Sequence, residues 1–570
     1  MSVELLSRPA TSANTPTGLG WATLSFALAV PWLLSTHTAP WTMFHVEWLI
    51  AAPTLTLAAW AVAVRPGRWP LTRPVLALGL FALLPLLHAA SGKLVYAADG
   101  WLGGLYLAGV FLSAATGMRV EALKAHRAAD SIFASLVVAS IASTGLMLYQ
   151  WLEFSSLGLL VLTLPVGGRL VANLGQPNLL ATLLVWGLLG LWWGHQRGRV
   201  GAAVGAAAAS FLLMGIAGTQ SRTGMVEVLV LAIVGLLGHR APSQPRRWVV
   251  LLLLAWFVAI VLAWPTLTAA LQADTALSLQ QQAALSRRPL IWRLALDLIA
   301  ERPLLGWGWN QTVLAQIARF DGVEALHLSL PYLHNLALDL ILWFGLPLGM
   351  LVTGVLLAWF VVAWRRHVPT QRPLLLALTV LLLHSMLELP HAYALFLLPA
   401  GLMFGVLEQQ FARQRQIAVP RAVPAVLTGA LALALAVLAV DYLRVERDLQ
   451  ETRIRAARIG DLTPVAVPRL YLLAPFGDLL SFLRIEPARG MDAVVLADMQ
   501  RVASRFPSGA NLFRYAQAAA LNSRPDEARR ALALLCHLML PAQCLAAGDA
   551  WREIARERFP EMLKVTPPPR

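Results

Sequence analysis

In the stretch SRRPLIWRLALDLIAERPLLGWGWNQ, Arg287 and Arg288 stand immediately before Pro289. Proline suits the first turn of a helix, where backbone N–H groups still point outward, so two planar and permanently charged guanidinium groups at such a start can hold a phosphate. Arg222, in TQSRTG, can join them around a diphosphate. The same residues also fit contact with lipid phosphates at a membrane surface, and Arg222 is spaced to pair with Glu227. His334, followed by Asn335 and an apolar run, offers a group able to accept a proton from a hydroxyl. A lone histidine is more often structural, and His88, His384 and His391 also lie near or inside apolar runs. Glu388, in HSMLELPHAY, suits the orientation of a base or of a sugar hydroxyl, or is an ordinary interfacial carboxylate. NLGQPN adds the neutral polar groups of Asn173, Gln176 and Asn178. Arg293 and Asp297, four apart, are placed for a helix-surface pair worth roughly 0.2–0.5 kcal/mol. Trp307 and Trp309 present faces for a sugar, although tryptophan is common at membrane interfaces.

Other chemistries lack their residues. The chain has no Asp-x-Asp, no Cys/His cluster at metal spacing and no glycine-rich nucleotide loop, so the expected mechanism needs neither metal nor cofactor. Cys536 and Cys544 are too few for a four-ligand zinc site, and form a disulfide only if their segment is extracytoplasmic.

The elements that must position these residues are membrane helices. Of 570 residues, 58% are hydrophobic and 13% charged, which makes lipid the natural solvent. The net charge of +15 is dispersed between apolar runs instead of forming one basic face, which argues against nucleic acid as a partner. About thirteen runs are long enough, or nearly so, to cross a bilayer. They are Leu19–Leu34, Trp48–Val64, Val75–Ala90, Trp101–Gly117, Ser131–Trp151, Leu179–Gly194, Val200–Gly218, Met225–Gly238, Trp248–Pro265, Leu336–Trp364, Pro373–Leu387, Tyr393–Leu407 and Ala422–Tyr442. Alternate connections are basic, among them those carrying Arg65, Arg68 and Arg73, then Arg119, Lys124 and Arg127, then Arg365, Arg366 and Arg372. Cytoplasmic loops are enriched in Lys and Arg, so these face the cytoplasm and every candidate site residue falls at the opposite, periplasmic lip. The expected fold is an all-α polytopic bundle, N-terminus in and C-terminus out. Residues 1–18 form a cytoplasmic tail, 19–442 the membrane domain with a long periplasmic loop at 266–335, and 443–570 a periplasmic helical domain.

Five motifs in this order, NLGQPNLLATLL, SRTG, IWRLALDLIAERPLLGWGWNQ, LPYLHNLALDLILWFGLPLG and HSMLELPHAYALFLLPAGLMFG, resemble the bacterial protein O-oligosaccharyltransferases of the PglL/PilO type. These belong to the wider O-antigen ligase and polymerase superfamily. The resemblance covers most of residues 165–410, and His391 with Ala392 departs from the apolar or aromatic pair that the family pattern leads one to expect. It implies an undecaprenyl-diphosphate oligosaccharide as donor in the inner membrane. It also implies Arg222 with Arg287 or Arg288 on the diphosphate, His334 acting on a Ser or Thr hydroxyl of a pilin or other periplasmic protein, and inversion at the sugar. Gln176, Asn178, Arg293, Asn335 and Glu388 are the expected supporting residues. The rival acceptors are lipid A-core and another glycan, and the rival from a different class is a membrane transporter.

Overall fold

The computed structural model describes residues 18–164, 168–238, 244–273, 287–411, 416–459 and 465–567. The expected N-terminal tail, apart from Gly18, and the middle of the 266–335 loop lie outside the described residues. The rest is almost entirely helical, as a chain in lipid must be when each span satisfies its own backbone groups.

The first half contains α1 (Gly18–Ala29), α2 (Phe44–Val64), α3 (Arg73–Phe81), α4 (Leu83–Ala90), α5 (Ala97–Leu123) and α6 (Arg127–Trp151). It continues through α7 (Pro177–Gln196), α8 (Ala202–Gly218), α9 (Arg222–Gly238) and α10 (Arg247–Ala270). After the long connection come α11 (Arg288–Glu301), α12 (Thr312–Arg319), α13 (Leu336–Phe344), α14 (Leu346–Arg366), α15 (Arg372–Ser385), α16 (Ala394–Phe411) and α17 (Ala422–Ala456). Among the described residues nine helical stretches are long and apolar enough to cross a membrane. Shorter helices such as α8, α9 and α15 occupy other expected spans.

Composition sorts these helices by depth. In α7 and α16, 72% of the spanning window is buried within the protein; in α10 and α14, whose Leu and Val residues run all the way round, only 11% is. The tight packing of α16 on α5 depends on small residues. A Cβ on Gly405 would sit 1.9 Å from the Ala114 carbonyl oxygen, and one on Gly117 would sit 2.3 Å from that of Leu402. With Gly401 one turn before Gly405, α16 carries the small-xxx-small spacing that lets membrane helices touch backbone to backbone. A short antiparallel pair, β1 (Trp69–Leu71) with β2 (Ile417–Val419), ties the connection after α2 to the one before α17.

Two expected spans are interrupted, Val75–Ala90 at Ala82 between α3 and α4, and Leu336–Trp364 more sharply. Leu336–Trp364 is two helices, α13 and α14, parted at Gly345 with φ +83°. The Gly-Trp-Gly-Trp turn crosses the break: Trp307 N donates to the Leu342 carbonyl at 2.8 Å and Gly308 N to that of Trp343 at 3.0 Å. A Cβ on Gly345 would lie 2.2 Å from the Leu304 carbonyl oxygen, so the crossing requires glycine.

The C-terminal part comprises α18 (Ala474–Arg484), α19 (Ala493–Arg505), α20 (Gly509–Leu521), α21 (Pro525–Leu538) and α22 (Pro541–Glu557). Tyr442, where the composition changes, lies inside the continuous α17. Asp441 then anchors the returning chain, its Oδ2 accepting from the backbone N–H groups of Tyr471, Leu472 and Leu473 at 2.8, 2.6 and 3.1 Å. Phe320, at the end of α12, is buried in the same core as Leu496, Leu512 and Leu535. Arg505 forks onto Asp99 at the start of α5 at 2.7 and 3.1 Å, so the C-terminal helices are docked on the outer loop and on the bundle together.

Candidate active site

His334 immediately precedes the cap of α13, and its backbone is held in the left-handed region at φ +54°. That conformation costs a non-glycine residue about 1–2 kcal/mol, so neighbours must enforce it. Asn335 caps α13, its Oδ1 accepting from Leu338 N at 3.1 Å, while its Nδ2 donates to the Met386 carbonyl at 3.0 Å. Asp339, fully buried, accepts from Leu333 N at 2.8 Å, and its other oxygen faces His391 Nε2 at 3.3 Å.

Held this way, His334 has Nδ1 2.7 Å from Glu388 Oε2, and the second oxygen of Glu388 accepts from Arg288 Nη2 at 2.6 Å. One carboxylate thus joins two segments that are distant in the chain. Burial by itself raises the Glu388 pKa, but the hydrogen bonds and charges of His334 and Arg288 outweigh it and bring it down to about 2. Glu388 orients the ring through Nδ1, which leaves Nε2 as the ring nitrogen that Glu388 does not engage.

Arg222 opens α9 with its side chain exposed. Ser221 accepts from Gly224 N at 3.0 Å and donates to Asn178 Oδ1 at 2.8 Å, so Asn178 ties the start of α7 to the turn carrying Arg222. Glu227 is not the partner of Arg222. It is fully buried, with Thr182 Oγ1 at 2.8 and 3.1 Å from its two oxygens and His384 Nδ1 at 2.7 Å from the same hydroxyl. A carboxylate inside a bundle must be matched in this way, and the match binds α7, α9 and α15 near the ends where Asn178, Arg222 and Glu388 stand.

Comparison with known proteins gives the same direction. Residues 373–538 match a family described as virulence factor membrane-bound polymerase, C-terminal; 207–353 match O-antigen ligase; 170–193 match protein glycosylation ligase. A general O-oligosaccharyltransferase of Acinetobacter baylyi is 27% identical over 529 residues, covering 90% of this chain and 91% of that protein. A ComP-specific O-oligosaccharyltransferase of the same organism is 25% identical over 352 residues, 61% of this chain and 64% of that protein. Over most of its length the chain is similar to O-oligosaccharyltransferases, and its ligase matches are those of the PglL type.

In this transferase the remaining sequence candidates divide. Arg287 turns away from Glu388 and donates to the Leu326 carbonyl at 2.9 Å, so Arg288 is the member of the pair that reaches the cluster. Arg293 lies about 140° further round α11 from Arg288, is exposed, and makes no ion pair with Asp297 among the described residues. Gln176 occupies the N-cap position of α7, exposed, with no side-chain cap bond. Asn173 is a buried tether, its Nδ2 donating to the Leu33 and Leu160 carbonyls at 2.8 Å. The tryptophans are packing residues: Trp307 is buried under the Arg302 guanidinium at 3.9 Å, and Trp309 lies against Trp343 at 4.7 Å.

Sequence reasoning missed Arg169 and Asp339. Arg169 Nη1 donates to the Gln220 carbonyl at 3.3 Å, two residues before Arg222. Burial lowers its pKa; Glu388 opposes that shift, and the like charges of Arg222 and Arg288 add to it. The available signal was an arginine in a connection that the charge bias predicts to face outward, where it leaves few.

Proposed function

We propose that the transferase moves an oligosaccharide from undecaprenyl diphosphate to a Ser or Thr hydroxyl of a pilin-type or other periplasmic protein, at the outer lip of thirteen inner-membrane spans. The supporting observation is that Glu388 holds Arg288 with one oxygen and His334 with the other. In this reading Arg222 and Arg288 grip the donor diphosphate, since planar guanidinium forks match phosphate oxygens and stabilise charge as it develops. His334 Nε2 takes the acceptor hydroxyl proton. The hydroxyl oxygen forms its bond to the anomeric carbon from the face opposite the diphosphate, the carbon–oxygen bond to phosphate breaks, and undecaprenyl diphosphate leaves with the electron pair. One displacement inverts the sugar. The donor is already activated, so the step uses no further reactant.

The relatives similar over most of this chain are both named for oligosaccharide transfer, which favours a protein acceptor over lipid A-core. Purified transferase given synthetic lipid-linked glycan and a candidate acceptor protein is the test. Mass spectrometry is expected to find glycan on Ser or Thr with release of the lipid diphosphate. An inert protein under these conditions supports a carrier instead, and loss of O-antigen ladders with glycoproteins intact in a deletion strain supports the lipid acceptor.

A further inference from the structure

We infer that Arg169 is a third donor-binding arginine, completing a cradle for the lipid diphosphate with Arg222 and Arg288. This rests on the proposed reading of the site and adds to it a residue from a different part of the chain. Arg169 belongs to the connection between α6 and α7, half-buried at the outer lip. Its Nη1 bond to the Gln220 carbonyl holds a backbone that turns through φ +51° at Gln220, and this turn delivers Arg222 to the head of α9. Arg169 therefore reaches the same corner as Arg222, and among the described residues one of its donors is spent on protein.

Charge supports the assignment. Arg169, Arg222, Arg288 and Glu388 are close enough for each of the others to perturb the ionisation of Arg169. Among the described residues the only carboxylate paired within this group is Glu388, and it is bonded to Arg288 and His334, so neither Arg169 nor Arg222 has a carboxylate partner. Guanidinium groups gathered with too little counter-charge, two of them half-buried, repel one another, and a bound dianion relieves that repulsion. A diphosphate ester supplies the missing charge in a form that planar forks match.

The competing role is a brace for the Gln220 turn. Arg169→Lys keeps the charge and a donor, whereas Arg169→Gln keeps a donor and loses the charge. The measurements are the KM for undecaprenyl-diphosphate glycan, the KM for the acceptor protein, and direct binding of undecaprenyl diphosphate to the purified full-length variants. Arg169→Gln is expected to raise donor KM and weaken lipid-diphosphate binding about tenfold or more, with acceptor KM unchanged and Arg169→Lys falling between. Equal behaviour of the two variants, or unchanged lipid-diphosphate binding in both, assigns Arg169 to the turn alone and overturns the inference. His334→Ala run alongside separates the two readings: if it transfers normally, the proposed site itself fails, whatever Arg169 does.

Discussion

At the scale of single residues, the transferase places a planar charge where a phosphate is expected and a depressed carboxylate behind its histidine. Arg222→Lys substitutes a compact ammonium for the fork, so donor KM should rise by roughly tenfold or turnover should fall comparably. Unchanged kinetics would move Arg222 to a lipid-anchoring role. Glu388 is held at about 2, below the ordinary carboxylate value, so its ion pairs stabilise the fold at neutral pH and are lost as pH falls from about 4 towards 2. The melting temperature of the wild type should therefore exceed that of Glu388→Gln at pH 6, with the gap closing at acid pH; a constant gap would contradict the pairing. His334, Arg288, Asn335 and Glu388 were legible because polar side chains at the ends of apolar runs are costly without a purpose. Which arginine of Arg287–Arg288 turns inward depends on helix phase at Pro289, and Arg169 and Asp339 depend on contacts that spacing along the chain does not encode.

At the scale of elements, hydrophobic run length pointed to each of the nine helical stretches that, among the described residues, are long and apolar enough to cross a membrane, since length and apolarity are what a bilayer demands. It did not find the break at Gly345, because Leu336–Trp364 reads as one apolar run and the break comes from the Gly-Trp-Gly-Trp turn crossing it. Nor did it distinguish central from peripheral helices, a distinction set by glycine placement. Gly405 marks the closest approach of α16 to α5, and α16 begins six residues after Glu388. Gly405→Val should force the helices apart, lower thermal stability by several degrees in detergent and reduce transfer, while Gly354→Val on α14, whose Cβ meets nothing within 4 Å, should do neither. Equal stability of the two variants would contradict the packing described here.

At the scale of the whole molecule, the proposed site draws on the α6–α7 connection, the head of α9, the start of α11, the entry to α13 and the α15–α16 connection, and Glu227, Thr182 and His384 tie α7, α9 and α15 together. The C-terminal helices clasp the outer loop. His327 donates its backbone N–H to the His537 carbonyl at 3.1 Å and its Nδ1 lies 2.7 Å from that of Met539, beside the Cys536–Cys544 disulfide. A bridge closing so short a loop contributes about 2–3 kcal/mol in the chain-entropy view. Paired Cys536→Ser and Cys544→Ser should make the tail more protease-sensitive while donor KM holds; an unaltered digestion pattern would show that the bridge does not secure the clasp. The central claim is that His334 and Glu388 act as one base. A double-mutant cycle on kcat tests it most directly. Glu388→Gln should cost about a hundredfold or more in the wild type and nothing further once His334 is alanine, because residues acting as a unit lose their effect together. Independent, multiplying losses, or normal transfer by a well-folded His334→Ala protein, would contradict it.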